Sequence, residues 1–298
     1  MELKQERIGY LHGQWLPHHE MRISVDDGGF RQAITAVERL RTYQGRIFSL
    51  EAHLRRWDWT TQKLAITGLP DSTQIIGLLN DLLEKNQPLI DQQGDVGLTM
   101  FATPGEPTSE KPTFGLHLNL LNHDRIGRHR VEGQPLIISD VQQPATTCWP
   151  RSIKTRSRVH YYLADRFAAE HRPGSLGILL DQDGTITETS TSNIAIVTHG
   201  TIQTPPSEKV LSGVTQLMTE ILAEELGIAW VKKPIEIEHL LLADEVILMG
   251  TDGGIWFANS ISNQPVADGQ PGPIFASLRQ EFDIMTGETP PSSAAQDA

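Results

Sequence analysis

RSIKTRSR, residues 151–158, sets one lysine, Lys154, among three arginines, Arg151, Arg156 and Arg158. Two readings fit this run. Like charges in a row are commonly a solvated surface, and on these eight residues alone that reading leads. The other is a catalytic lysine, its proton affinity lowered by the surrounding positive charge so that its amine is free to form an imine. A nucleic-acid patch is disfavoured, because no aromatic residue interleaves the cations and the chain as a whole is acidic.

Three further stretches hold chemistry-bearing residues. GTITETSTSNI, residues 184–194, offers one carboxylate, Glu188, within a run of Thr and Ser. On a sheet edge it would be solvated; if buried it needs a cationic partner, and a protonated pyridine nitrogen is one. LSGVTQL, residues 211–217, runs straight into a helical pattern. Its Ser212 or Gly213 is either a plain cap or the start of a phosphate site built from unpaired backbone N–H groups. MGTDGG, residues 249–254, has turn chemistry after an apolar strand and is a weak phosphate-loop signal by itself.

In this order and spacing, the segments resemble the fold-type IV enzymes dependent on pyridoxal 5′-phosphate (PLP). That class IV family holds branched-chain and D-amino acid aminotransferases and aminodeoxychorismate lyase. The resemblance runs from about Tyr10 to about Phe282. It implies a Schiff base on Lys154, from the IKTRSR motif, and a ring-nitrogen partner in Glu188, followed by Ser192 and Asn193. The HLRR stretch matches as His53, Leu54, Arg55 and Arg56, which makes Arg56 the phosphate arginine and Arg55 its exposed neighbour. Gly213, Val214 and Thr215 hold the phosphate on one side, and Thr251 with the Asp252 N–H on the other. The implied fold is a two-domain α+β architecture with the cofactor in the interdomain cleft, and the implied assembly is a homodimer. The implied reaction moves an amino group between an amino acid or amine and a 2-oxo acid. A lyase of the aminodeoxychorismate type and a degenerate PLP-binding homologue are the alternatives.

Departures fall on substrate-facing residues. DGGFRQAITAVE, residues 27–38, replaces most of the family's first signature but keeps its glutamate as Glu38, which favours transaminase over lyase. The family's substrate-carboxylate arginine has no counterpart in GLTMFA, residues 97–102, where Met100, Phe101 and Ala102 stand instead. Thr35, Met100 and Arg158 are the substrate candidates, with Arg158 the replacement anchor. Without the standard arginine, poor activity is expected on leucine with 2-oxoglutarate. The position of the family's cofactor tyrosine falls on Val159 or Arg158; Tyr161 and Tyr162 follow closely, either facing the pocket or simply packing.

The organisation expected is an N-terminal domain over residues 1–121, a polar linker over 122–133, a cofactor-binding domain over 134–286 and a disordered tail over 287–298. A hairpin spans Ile8 to Pro17, a strand covers Arg22 to Val25, and two more flank Tyr43-Gln44-Gly45. Helices are expected over Leu50 to Ile66, over Thr73 to Asn86 with Ser72 as cap, over Val159 to His171, over Val214 to Leu226 and over Pro273 to Phe282. Strands are expected at Val96 to Ala102, Thr113 to Leu121, Pro135 to Ser139, Ser175 to Asp181, Thr185 to Val197, Thr201 to Thr204 and Glu245 to Met249. These rest on period and turn residues.

Lys and Arg total 25 against 37 Asp and Glu, a net charge of −12, which disfavours nucleic acid and anionic membranes as partners. One cysteine, Cys148, permits no internal disulfide and fits a reducing, cytoplasmic setting. MELKQERIGY shows no apolar leader segment, and no apolar run reaches the ~20 residues a membrane span needs. No metal ligand set is expected: His18-His19-Glu20 matches no common spacing and reads as an exposed turn.

Overall fold

A computed structural model of the chain describes residues 6–109 and 111–288. The chain divides into two compact units, Met1–Asn122 with Pro150–Val159, and His123–Trp149 with His160–Ala298.

The first unit contains, in chain order, β1 (Ile8–Leu11), β2 (Gln14–Pro17), α1 (Gly28–Gln32), β3 (Ala36–Tyr43), β4 (Arg46–Ile47), α2 (Leu50–Lys63), α3 (Ser72–Lys85), α4 (Gln87–Gln93), β5 (Val96–Thr103) and β6 (Thr113–Leu120). Its sheet has the order β2-β1-β6-β5-β3-β4. Alternation along the strands sends Ala36, Leu40, Leu98, Met100, Ala102, Leu116 and Leu118 to one face. There they pack with Leu54 and Trp57 of α2 and Ile75, Leu79 and Leu82 of α3. Helix α3 begins one residue earlier than expected, because Asp71 rather than Ser72 is the cap and forms a reciprocal capping box with Gln74.

The second unit contains α5 (His123–Glu132), β7 (Gln134–Gln142), α6 (Val159–His171), β8 (Leu176–Leu180), β9 (Asn193–Thr198), β10 (Thr201–Thr204), α7 (Val214–Glu225), β11 (Trp230–Lys232), α8 (Ile237–Leu241), β12 (Glu245–Gly250), β13 (Gly254–Ile261), β14 (Gln264–Pro265) and α9 (Pro273–Thr286). Its sheet runs β11-β10-β9-β12-β13-β7-β8, with β14 paired to β13. Ile194, Ile196, Val246, Leu248 and Ile178 form the centre of its core.

Several expectations are corrected. Residues 122–133 are no linker: His123–Glu132 is a helix, and polar contacts rather than an apolar stripe hold it. Arg130 donates to the Gly253 carbonyl and pairs with Glu288, and Asn259 donates to the Glu132 carbonyl. Pro150–Val159 belongs to the first unit and not to the second-half domain, because its backbone is tied to β3 and the residue before it. The Val37 N–H donates to the Lys154 carbonyl and the Arg156 N–H to the Thr35 carbonyl, flanking an antiparallel bridge between Ala36 and Thr155. Among the described residues Arg22 to Val25 finds no strand partner, and Val25 is 68% exposed. The strand expected from Thr185 to Val197 begins only at Asn193, since the Thr189 hydroxyl folds 189–192 into a turn by accepting from the Thr191 and Ser192 N–H groups. Of the tail, Gly287 and Glu288 are held at the end of α9, where Arg279 and Arg130 both reach Glu288; the rest lies outside the described residues.

Candidate active site

The lysine segment is fixed in the first unit by its main chain. Besides its link to β3, the Lys154 N–H donates to Thr60 Oγ1 of α2 at 3.1 Å. Two turns earlier on the same helix, the HLRR stretch splits by helical phase: Arg55 is exposed, while His53, Leu54 and Arg56 point inward. There they meet Glu38 of β3, which is fully buried. Arg56 Nε donates to Glu38 Oε2 at 3.0 Å, Arg56 Nη2 donates to Oε1, and His53 Nδ1 lies 2.9 Å from Oε1.

Burial alone would raise the Glu38 pKa, yet the Arg56 charge and the His53 and Arg56 hydrogen bonds outweigh it and hold the carboxyl well below its ordinary range. Burial also lowers the pKa of His53, more than Glu38 raises it, and the positive charges of Arg56 and Lys154 act in the same direction. A neutral His53 then donates from Nδ1 to Glu38. Glu38, kept as a family position in the sequence, is thus the counter-ion that fixes the plane of the Arg56 guanidinium, a role the sequence did not disclose.

In the second unit, Glu188 is 4% exposed and its carboxylate is met by at least four donors. Tyr161 Oη donates to Oε1 at 2.6 Å and Gln143 Nε2 at 3.3 Å. The Leu211 N–H donates to Oε2 at 3.1 Å and Asn193 Nδ2 at 3.2 Å. An ionised carboxylate accepts from all four. Sequence reasoning found Glu188 and Asn193 but neither Gln143, for which no signal existed, nor the partner of Tyr161. Tyr162 and Val159 are exposed.

Asn193 also donates to the Leu211 carbonyl at 3.0 Å, drawing the start of α7 against β9. The cap there is Gly213, which has no side chain to satisfy the first N–H groups of α7. A Cβ at Gly213 would fall 1.9 Å from Asn193 Oδ1. Gly213→Ala is therefore expected to displace Asn193 and destabilise the fold by about 1–3 kcal/mol, as overpacking does. Urea unfolding measures it; an unchanged midpoint at unchanged slope would mean that Asn193 has room to move.

The pairing of Met249 with Asn193 brings the 250–253 turn to the same end of the sheet. Gly250 lies against the Thr191 carbonyl and Gly253 against the Trp256 ring, each too closely for a Cβ. Thus Glu188, Asn193, Gly213, Val214, Thr215, Thr251 and Asp252 share one region of the second unit. The Ser192 hydroxyl bonds Thr189 Oγ1 at 2.8 Å and builds the turn.

Met100 is corrected as a substrate residue. It is 0% exposed, within the core between sheet and helices, because alternation assigns it to the face of Leu98 and Ala102. Thr99 and Phe101 take the opposite face. Thr35 is buried and offers its carbonyl to the Arg156 N–H. His18–Glu20 forms a short 3-10 turn without buried residues, and His19 pairs with Glu6.

The donor set fits a phosphorylated pyridine aldehyde. In the second unit a buried carboxylate suits a cationic ring nitrogen and an uncapped helix start beside a glycine turn suits a dianion; Lys154, in the first unit, carries an amine of the kind such an aldehyde takes up.

The family model described as amino-transferase class IV matches residues 35–261. A D-alanine aminotransferase of Staphylococcus aureus (strain COL) is 24% identical over 281 residues, covering 92% of this chain and 96% of the relative. A putative branched-chain-amino-acid aminotransferase of Methanocaldococcus jannaschii is 28% identical over 291 residues, covering 93% and 96%. Among solved structures, the Thermobaculum terrenum branched-chain amino acid aminotransferase in its PLP form superposes with a TM-score of 0.83 at 21% identity, over 95% of each chain. The Escherichia coli branched-chain amino acid aminotransferase gives 0.82 at 21%, over 97% of this chain and 98% of that one.

Proposed function

The chain belongs to the class IV amino-transferase family, and from that premise we propose that it is a PLP-dependent aminotransferase moving an amino group between an amino acid and a 2-oxo acid. The named relatives are aminotransferases, which favours this over the lyase and over a degenerate homologue. The observation that carries the reading is Glu188: a buried carboxylate, held by at least four donors, beside an uncapped helix start.

When bound, PLP supplies an electron sink for charge developing at the substrate's Cα. The residues that would hold it are Glu188 at the ring nitrogen, Arg56 and the 213–215 and 251–252 backbone at the phosphate, with the Thr215 and Thr251 hydroxyls. Lys154 would be the residue that carries the covalent link, and its Nζ is the group that would hold and move the proton at the substrate's Cα. Tyr161, Gln143, Asn193 and the Leu211 N–H keep the Glu188 carboxylate in one orientation, which fixes where a proton on the ring nitrogen is held.

The test is a donor screen with both enantiomers of each amino acid at a fixed 2-oxo acid, since D-alanine and branched-chain relatives match alike. Amino-group transfer to the 2-oxo acid supports the reading, and pyruvate release from aminodeoxychorismate without transfer would replace it with the lyase. Glu188→Gln is expected to retain PLP but to lose turnover by about a hundredfold or more, the scale of a mis-set proton equilibrium. Full turnover in that variant would remove Glu188 from the cofactor. We further propose a cytoplasmic homodimer, which sedimentation of the purified protein tests. Among the described residues no helix is long and apolar enough to cross a membrane.

A further inference from the structure

The hairpin joining β12 to β13 pairs Gly250 with Gly254, which leaves Thr251, Asp252 and Gly253 as its loop. Three of the five residues 250–254 are glycine, and Gly254 has a φ of +72°. Such backbone has few preferences of its own and loses much entropy when ordered, so contacts from outside must fix it. One is the buried Trp256 ring, which a Cβ at Gly253 would meet at 2.8 Å.

Two arginines from different helices add to it. Arg130 of α5 donates from Nη2 to the Gly253 carbonyl, a long contact at 3.4 Å. Arg279 of α9 donates from Nη1 to the Ile255 carbonyl at 3.2 Å. Both guanidiniums then converge on one oxygen, since Nη2 of each lies 2.8 Å from Glu288 Oε2. Arg279 also pairs with Asp283, four residues further along α9. The Arg130 and Glu288 side chains are only 17% and 19% exposed, so salt screens this pair less than a surface pair. Glu288 follows Gly287, the C-cap of α9, where the negative end of the helix opposes a carboxylate. Its place is explained by the two arginines and not by the helix.

We propose that Arg130, Arg279 and Glu288 are positioning residues for the cofactor's phosphate, acting through the Thr251–Gly253 loop that they hold. This rests on the PLP-dependent reading, in which the Thr251 hydroxyl and the 251–252 backbone hold that phosphate. None of the three is a cofactor ligand in this assignment. They set where the loop's hydroxyl and N–H groups stand, and all of them lie with the loop in the second unit. A plain clamp between α5 and α9 would use the same contacts, but it would act on stability and not on phosphate recognition.

The test compares wild type with Arg130→Gln, Arg130→Lys and Glu288→Gln. Arg172→Gln is the control, because Arg172 reaches Ser260 on the same strand β13 but away from the loop. Dissociation constants for PLP and for pyridoxal, which lacks the phosphate, are read from the visible absorbance of the imine. The phosphorus NMR resonance of the PLP-saturated protein reports the surroundings of the phosphate. Arg130→Gln and Glu288→Gln are expected to weaken PLP binding by roughly three- to thirtyfold, the range for residues coupled to a site they do not touch. Pyridoxal affinity should stay at the wild-type level, as should every reading for Arg172→Gln, and the phosphorus resonance should move towards that of free PLP. Arg130→Lys should recover part of the loss, because one ammonium can donate to both the carbonyl and Glu288, as Nη2 does. Should Arg130→Gln fail to fold, Glu288→Gln carries the same comparison. Equal losses for PLP and pyridoxal, or wild-type PLP affinity with an unmoved phosphorus resonance, overturn the proposal and leave the PLP reading in place. A wild type that forms no imine with PLP, yet binds inorganic phosphate more tightly than Arg130→Gln does, would keep the braced loop as an anion site and remove the PLP reading instead. Binding of neither removes both.

Discussion

Lys154→Ala is expected to lower transamination by about 10²–10⁴-fold, the contribution of a positioned proton-transfer group, or roughly 3–5 kcal/mol of barrier. The fold should survive, because the main-chain ties that hold this segment in the first unit do not depend on the Lys154 side chain. Its N–H reaches Thr60 and its carbonyl accepts from Val37, and alanine keeps both. Borohydride reduction of the wild type with PLP should fix one pyridoxyl group, on Lys154, and none in the variant. The competing lysines are poorly placed for this chemistry. Lys209 is paired with Asp181 at 2.9 Å and with Asp183, and these carboxylates raise its pKa despite the opposing effect of burial. An amine held charged in that way is a poor nucleophile. Lys63 lies 4.3 Å from the Trp59 ring centroid on the outside of α2. A pyridoxyl group found on Lys209 or Lys63, or turnover unchanged by Lys154→Ala, would sink the assignment.

The ladder strands and amphipathic helices were legible because their signals are local. Val159–His171 follows from composition and period alone, and β12 from an unbroken apolar run. What escaped depends on partners distant in sequence. His123–Glu132 is mostly polar, with only Ile126 and Val131 apolar besides Gly127, and reads as a linker, since its order comes from Gly253, Asn259 and Glu288. Likewise nothing in RSIKTRSR states that the segment returns to a unit which otherwise ends near residue 122. In the site, single residues with motif spacing could be named, but their hydrogen-bond partners could not. Glu188 was visible, whereas Gln143, 45 positions away, was not. Met100 failed for a different reason: a motif position was read without its strand parity, and parity sends it to the core.

Glu38→Ala is expected to destabilise the protein by about 3–5 kcal/mol, the cost of breaking a buried ion pair from one side. The loss arises less from the attraction removed than from Arg56, left buried with a charge that neutral His53 cannot compensate. Against a typical stability of about 5–15 kcal/mol this is a large fraction, so a second variant is needed should Glu38→Ala fail to fold. Glu38→Met with Arg56→Met removes both charges and fills the space with apolar side chains; it should recover most of the loss. The pH dependence has a definite sign. The Glu38 pKa is depressed in the folded state below its ordinary 4.5, so its contribution is fully present above that value. It is lost only as pH falls from there towards the folded pKa. The stability difference between wild type and Glu38→Ala, from urea unfolding, should therefore be flat at neutral pH and shrink only in acid. A difference below about 1 kcal/mol at neutral pH, typical of an exposed pair, would show that Arg56 does not depend on Glu38 for its charge.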